Sequence, residues 1–288
     1  MLSVALAVLA AFLNAVASVL QRRAAAVEPA TVTANGRLSW LVRLVRRPVW
    51  LAGAAAMAMA GASQAGALAT GPLAVVQPIM TTELLFTLAV GSLVFRTRPG
   101  PGTWWAFAAM ALGLAAFLVL TDPGEGLTTV PPDRWHRITV PTVATVAALL
   151  ALSVRLRPAA RAAVLGCATA IGFAVTAVLV KDTLGRLPEG VGAVWTSWQL
   201  YAVLIIGLAS FLLLQVTLRA GTLVASQPAL TLGDALLSVV FGAVLFDESI
   251  ALGPRVVPEV AALALLVAGS VQLARSPLMA GPEKEQIW

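Results

Sequence analysis

Charged side chains are scarce in this sequence. Asp, Glu, Lys and Arg make up only 11% of its 288 residues, whereas 59% are hydrophobic and the mean hydropathy is +0.91. A soluble domain has about 25% charged residues. The chain therefore has too few charges to cover a water-facing surface, which excludes an ordinary soluble domain and predicts an integral membrane protein.

Cysteine and histidine are almost absent, with one of each: Cys167 in an apolar segment and His136 in a polar loop. A single cysteine excludes an intrachain disulfide, and these two residues cannot form a Cys/His metal cluster. The sequence also has no Gly-rich phosphate loop or Walker pattern. We therefore expect no enzyme and no cofactor, while other kinds of metal site stay undetermined.

Long apolar runs dominate what is present. A spanning helix needs about 20 mostly apolar residues. The first run is expected to be a retained helix, since no basic residues precede it as they would in a signal peptide. Residues 22–48 form a basic, partly amphipathic connector, for which we expect an interfacial helix near its end. Nine spans are predicted: residues 2–21, 49–68, 72–95, 103–121, 138–156, 161–180, 191–215, 220–246 and 256–274.

The nineteen Lys and Arg residues divide unevenly between the two sides of these nine spans. Positive charge favours the cytoplasmic side of a membrane. Because most of them lie at the ends of apolar runs, they indicate topology and not a nucleic-acid patch. The bias predicts a plasma or inner membrane protein with its N-terminus outside and its C-terminus in the cytoplasm. The outer side has only Arg134, Arg137, Lys181, Arg186 and Arg255.

Two parts of the chain share one pattern. A shift of 150 residues aligns Gln77–Pro78 with Gln227–Pro228, and a shift of 159 aligns residues 15–22 with 174–181. Spans 1–4 therefore resemble spans 6–9, and an odd offset of five spans makes the two units run in opposite directions. Inverted repeats are typical of secondary transporters. The predicted divisions are 1–121 (first unit), 122–160 (loop and fifth span), 161–274 (second unit) and 275–288 (cytoplasmic tail).

The stretches "SQPALTLGDALLSVVFGAVLFDESI" and "VVPEVAALALLVAGSVQLA" resemble the repeat of the drug/metabolite transporter superfamily, of the EamA-like kind. In that repeat a Pro-containing helix ends in an acid, here Glu248, and a Gly-containing helix closes the unit, here with Gly269. The first unit is similar but ends in Arg96 and Arg98 in place of the acid. The resemblance implies transport of a small molecule by alternating access.

Nine spans, an outside N-terminus and a long basic first loop are similar to the NIPA-like magnesium-transporter branch of this superfamily. That branch typically has an acidic residue in its second helix, where this chain has "GASQAG" at residues 61–66. The resemblance to this branch implies transport of Mg²⁺ or another divalent cation as an alternative.

The eighth span carries a polar stripe of Gln227, Thr231, Asp234 and Ser238. Their spacing of i, i+4, i+7 and i+11 places them on one face of a helix. An acid at membrane depth is costly and usually marks a function. We expect this face to bind a substrate or a coupling proton, with hydrogen bonding between helices as the structural alternative.

Glu83 is the acid of the third span. It lies two residues from Thr81, so it is not expected on the face shared by Gln77 and Thr81. Asn14 and Gln64 lie among small residues of the first two spans, where tight packing is the favoured interpretation and substrate binding the alternative. Both Gln-Pro pairs predict irregular helix.

Asp247 and Glu248 end the eighth span and are expected in a solvated loop, with an attracting rim as the alternative. The leading hypothesis is a secondary transporter of a small metabolite or cation, acting as a monomer or homodimer in the lipid bilayer. A divalent-cation transporter and a non-transporting membrane scaffold or assembly component are the alternatives.

Overall fold

A computed structural model describes residues 1–26, 47–96, 100–220, 223–249 and 256–274. Within these ranges the chain is all α-helical and has no strand. The helices are α1 (Leu2–Ala26), α2 (Pro48–Thr70), α3 (Leu73–Met80), α4 (Glu83–Phe95), α5 (Pro101–Thr121), α6 (Pro132–Ser153), α7 (Pro158–Gly185), α8 (Val191–Thr196), α9 (Trp198–Ala220), α10 (Leu223–Phe246) and α11 (Val256–Ala274).

Eight spans of the described chain are long and apolar enough to cross a membrane, with α3 and α4 together forming one of them. A shorter apolar helix at Val257–Leu273 corresponds to the ninth predicted span. Its 17 residues are near the lower limit for crossing a bilayer. The prediction of an all-α membrane protein is confirmed, and each of the nine predicted apolar segments contains helix.

Proline sets several of the helix starts. The first helical residue of α2, α5, α6 and α7 is a proline: Pro48, Pro101, Pro132 and Pro158. The first-turn amides of a helix have no partner within it, so a residue without an amide hydrogen is tolerated there. The fifth span was predicted to begin at residue 138, but its helix begins at Pro132 and contains Pro141.

The predicted irregularity at the Gln-Pro pairs is found in only one of the two units. The third span is interrupted between Met80 and Glu83, one turn after Pro78. In contrast, α10 is a continuous helix from Leu223 to Phe246 with Pro228 inside it, so the prediction was wrong for that unit. The residues that follow the proline also differ between the two units, as described below.

The seventh predicted span was also wrong in its start. Residues 191–215 were predicted as one helix, but a short helix α8 ends at Thr196 and α9 begins at Trp198. Ser197 between them has an extended backbone. The expected interfacial helix in residues 22–48 and the tail at 275–288 fall mostly or wholly outside the described residues.

The helices pack in a repeated pattern. In the first half of the chain, α1 packs against α2 and against both parts of the third span, α3 and α4. In the second half, α7 packs against α9 and α10. Contacts between the halves join α3 to α10 and α5 to α11. A large buried cluster joins α3, α7 and α10 and includes Phe241 and Leu245 of α10.

Two glycines allow α5 and α11 to cross in backbone contact. A Cβ atom on Gly113 would lie 2.6 Å from the amide nitrogen of Leu266, and one on Gly269 would lie 2.6 Å from the amide nitrogen of Met110. Real Cβ atoms do not approach other atoms so closely, so only glycine fits at either position without a shift of the helices. Close approach through small residues is a common way for membrane helices to associate.

Candidate functional site

The polar stripe of α10 lies partly in the interior of the bundle. Ser238 is fully buried, and the Oδ1 oxygen of Asp234 is buried as well. Neither the Ser238 hydroxyl nor that carboxylate oxygen has a hydrogen-bond partner in the described part of the chain. A buried polar group without a partner is expensive, so these two atoms are open to a ligand or a proton.

The stripe faces the contact between the two halves of the chain. Phe241 and Leu245 follow Asp234 at i+7 and i+11, so all three lie on one side of α10. Both are buried in the cluster that also contains Leu73, Val76 and Ile79 of α3 and residues of α7. Asp234 is therefore directed to the middle of the bundle and not to its lipid-facing surface.

Glu83 and Asn14 meet across two helices. The Asn14 side-chain amide donates a hydrogen bond of 3.3 Å to the Oε2 oxygen of Glu83. Glu83 is the first residue of α4, immediately after the break in the third span. Because α1 packs against both α3 and α4, this contact does not test the expectation that Glu83 lies off the face of Gln77 and Thr81, which stays a prediction.

The break itself is stabilised by two threonines. The hydroxyls of Thr81 and Thr82 each donate a 2.7 Å hydrogen bond to a carbonyl three residues earlier, on Pro78 and Ile79. Their backbone amides bond to the same two carbonyls. Side-chain bonds of this kind can compete with the helical pattern, and here two of them in succession coincide with the break. At Pro228 only one equivalent threonine, Thr231, follows at the same offset.

The other predicted site residues are not brought into one cluster. Gln77 is buried in α3 and Gln64 is partly buried in α2. Thr231 is partly buried and takes part in an interaction. Gln227 belongs to α10, but its side chain lies outside the described part of the structure. Asp234 and Ser238 have buried atoms without a partner among the described residues, and Glu83 contacts Asn14. A role in binding stays a prediction for all of these residues.

A buried ion pair lies at one end of the bundle and was not predicted. Lys181 of α7 and Glu248 are 2.6 Å apart, with side chains only 7% and 0% exposed. The Glu248 carboxylate also accepts hydrogen bonds from the amides of Leu73 (2.6 Å) and Ala74 (2.8 Å) at the start of α3. Lys181 donates a second bond of 3.0 Å to the carbonyl of Gly71. These five residues are called the Lys181–Glu248 cluster.

The end of α10 places Glu248 in this cluster. Asp247 has a left-handed backbone (φ 53°), which ends the helix and turns the chain back. The Glu248 amide then donates to the carbonyl of Gly242, and a Cβ on Gly242 would collide with the Glu248 carboxylate. The Lys181 ammonium also lies 4.7 Å from the ring centre of Phe246, where a cation is attracted to the ring face.

Asp247 and Glu248 were expected together in a solvated loop or rim, which is wrong for Glu248. Asp247 does remain 58% exposed, and it pairs with Arg134 at 2.7 Å. The hydrogen bond from Arg134 lowers the pKa of the Asp247 carboxyl, which lies outside the helix. No periodicity could reveal the difference between two adjacent acids, because it depends on where the chain turns after Phe246.

The loop of residues 122–131, between α5 and α6, covers the same end of the bundle. Its Val130 amide donates a 2.9 Å hydrogen bond to the buried Asp182, whose other oxygen accepts from Gln199 at 2.8 Å. Its Leu127 amide bonds to the carbonyl of Phe246. A Cβ on Gly126 would collide with that same carbonyl. The loop is therefore held closely to the ends of α7 and α10.

A cavity of about 130 Å³ separates this loop from the turn between α2 and α3. Lys181 and Gly71 line it together with Glu125, Thr128 and Gly185. Among the residues that the structure describes, no three His, Cys, Asp or Glu side chains lie where they could hold a metal ion together.

Comparison with known proteins finds a relative that covers most of the chain. The chain is 26% identical over 259 residues to an uncharacterized protein from Corynebacterium glutamicum, covering 86% of each of the two chains. No protein-family model matches the sequence. No solved structure matches it either.

Proposed function

We propose that this protein is a secondary transporter of the drug/metabolite transporter type, which moves a small cationic metabolite or a cation by alternating access. One observation carries the proposal: Asp234 has a buried carboxylate oxygen without a partner among the described residues, on the face of α10 that packs against the other half of the chain. An intramembrane acid in this setting is a functional site by default. In this function the Asp234 carboxylate either binds a cation or carries a proton.

The repeated packing supports the inverted-repeat arrangement that alternating access requires. The contacts of α1 with α2, α3 and α4 correspond to those of α7 with α9 and α10. The reciprocal contacts of Gly113 and Gly269 are what a two-fold relation between the units would produce. In transporters with inverted repeats, substrate sites lie near the midplane where the units meet, and Asp234 is directed to this contact.

Proteoliposome flux assays test the proposal. The panel contains amines, amino acids and Mg²⁺, each measured with and without an imposed pH gradient. Accumulation of an amine that depends on the gradient would support a proton-coupled transporter, and accumulation of Mg²⁺ alone would support the divalent-cation alternative. If protein shown to be folded and inserted gave no flux of any cationic compound, the result would reject transport of cations and favour a membrane scaffold.

The orientation is a separate prediction. Because the basic residues are concentrated on one side of the spans, we expect Met1 outside the cell and the C-terminus in the cytoplasm. Reporter fusions at the two termini measure this directly, with a fusion at Glu125 in the 122–131 loop as the control for the outer side. Finding both termini on the same side would contradict an odd number of spans.

The break at Thr81–Thr82 is expected to matter for transport. A Thr81→Ala/Thr82→Ala variant removes both side-chain bonds to carbonyls, so α3 and α4 should approach a continuous helix and Glu83 should turn away from Asn14. We expect reduced flux with unchanged or higher thermal stability. The matched control is Pro228→Ala in the continuous helix α10, for which we expect a smaller loss of flux. Equal flux in the wild type and the double variant would show that the break has no role in transport.

A further inference from the structure

We propose that the Lys181–Glu248 cluster is a gate that holds one end of the transport pathway closed. The inference rests on the proposed transport function. Three of the four hydrogen bonds in the cluster join the two halves of the chain: those from the amides of Leu73 and Ala74 to Glu248, and the one from Lys181 to the carbonyl of Gly71. Alternating access requires the halves to separate at this end, and separation must break all three.

The three hydrogen bonds that cross between the halves can break and re-form together, while the ion pair stays intact. Separation of α3 from α10 leaves the carboxylate of Glu248 still paired with Lys181, because both belong to the second half. Neither charge is then left alone, which would be strongly unfavourable for a buried group. The two amides at the start of α3 become free to bind water. The ion pair thus keeps the open state accessible while the crossing hydrogen bonds favour the closed state.

The 122–131 loop is hydrogen-bonded to the second half. Its Val130, Leu127 and Gly124 amides bond to Asp182, Phe246 and Ser249, all of which belong to that half. The cavity lies on the other side of the loop, against Gly71 and its neighbours. Opening between the loop and Gly71 therefore leaves the hydrogen bonds of the loop to the second half intact.

The opposite end of the bundle cannot use the same contact. The alignment by 159 residues pairs Lys181 with Arg22, and the alignment by 150 residues pairs Glu248 with Arg98. Arg98 lies outside the described residues, but its charge is known from its type. Two arginines repel and cannot form this ion pair. The Lys–Glu pair therefore has no counterpart at the aligned positions of the first half, and the charge distribution predicts that the end with this pair is the outer one.

Cysteine accessibility tests the gate without any need for a substrate. Cys167→Ser removes the only native cysteine, and Val76→Cys then places a reporter within α3, where Val76 is fully buried beneath the cluster. A membrane-impermeant thiol reagent is applied from outside. Glu125→Cys in the exposed part of the 122–131 loop, in the same background, confirms which side the reagent reaches.

We expect Glu248→Gln to raise the labelling rate of the reporter by about tenfold or more, because one neutral carbonyl oxygen replaces the two carboxylate oxygens that accept from the amides of Leu73 and Ala74, which weakens the closed state. Exchange of the two charges, Lys181→Glu with Glu248→Lys, should not restore slow labelling, because a lysine at 248 cannot accept from the amides of Leu73 and Ala74. Asp247→Asn breaks an exposed ion pair at the same end and should leave labelling unchanged.

The double variant Lys181→Met/Glu248→Gln has no unpaired buried charge at this site. It is the test to use if Glu248→Gln alone does not fold. If either folded variant were labelled as slowly as the wild type, the gate would be refuted. It would also be refuted if Asp247→Asn increased the labelling rate as much as Glu248→Gln does. Labelling is measured without flux, so the two proposals can fail separately. Faster labelling of the variants, together with no flux of any compound tested, would support the opening motion and reject the transport function. Flux with unchanged labelling would reject the gate alone.

Discussion

Asp234→Asn is expected to fold and insert normally but to lose flux of a cationic substrate by about tenfold or more. A hydrogen bond to a charged group contributes about 1.5–3 kcal/mol, and each 1.4 kcal/mol changes an equilibrium by a factor of about ten. Asparagine retains the size of the side chain but can neither pair with a cation nor exchange a proton. The measurement is initial flux in proteoliposomes across a range of pH, normalised to the amount of inserted protein.

Two other carboxylates provide the comparison for Asp234. Asp133→Asn removes an exposed acid that pairs with Arg137 at 3.7 Å, and we expect wild-type flux from it. Glu83→Gln should have an intermediate effect, because Asn14 already donates to Glu83 whereas the Oδ1 oxygen of Asp234 has no donor among the described residues. An Asp234→Asn protein with the wild-type rate and pH profile would assign this acid to helix packing.

Gly113→Ala and Gly269→Ala are expected to destabilise the fold strongly. In each case the new Cβ would lie within 2.6 Å of a backbone nitrogen on the opposite helix, so α5 and α11 must move apart along their whole contact. Overpacking in a well-packed interior costs about 1–3 kcal/mol, and here the atoms in the way belong to the backbone, which cannot change rotamer. Thermal unfolding in detergent measures the loss.

Gly61→Ala is the matched control for these two substitutions. Gly61 is also within a spanning helix, but a Cβ there would meet no atom within 4 Å. Alanine has a higher helix propensity than glycine by about 0.8–1.0 kcal/mol, so the control should be neutral or stabilising. If Gly113→Ala melted at the same temperature as Gly61→Ala, the close crossing of α5 and α11 would be refuted.

Sequence alone was enough to predict the spans of this protein and two acids within them, Asp234 and Glu83, but not the buried Asp182 and Glu248. Span length and hydropathy are properties of consecutive residues, so each of the nine predicted segments contains helix even though several boundaries moved. Asp234 and Ser238 were predicted on one face because the period of a helix determines which residues share a side. The same reasoning failed for one of the two Gln-Pro pairs, because the pattern is identical in both units but only the first helix is interrupted.

Tertiary structure alone decided which charges are paired in the interior. Lys181 and Glu248 are 67 residues apart, and both lie at helix ends, where a charge is usually solvated. Their burial depends on the left-handed turn at Asp247 and on the start of α3, which is 174 residues from Glu248 at Ala74. Asn14 and Glu83 are likewise 69 residues apart. No periodicity within one segment can reveal such pairs, because they exist only once the helices are packed together.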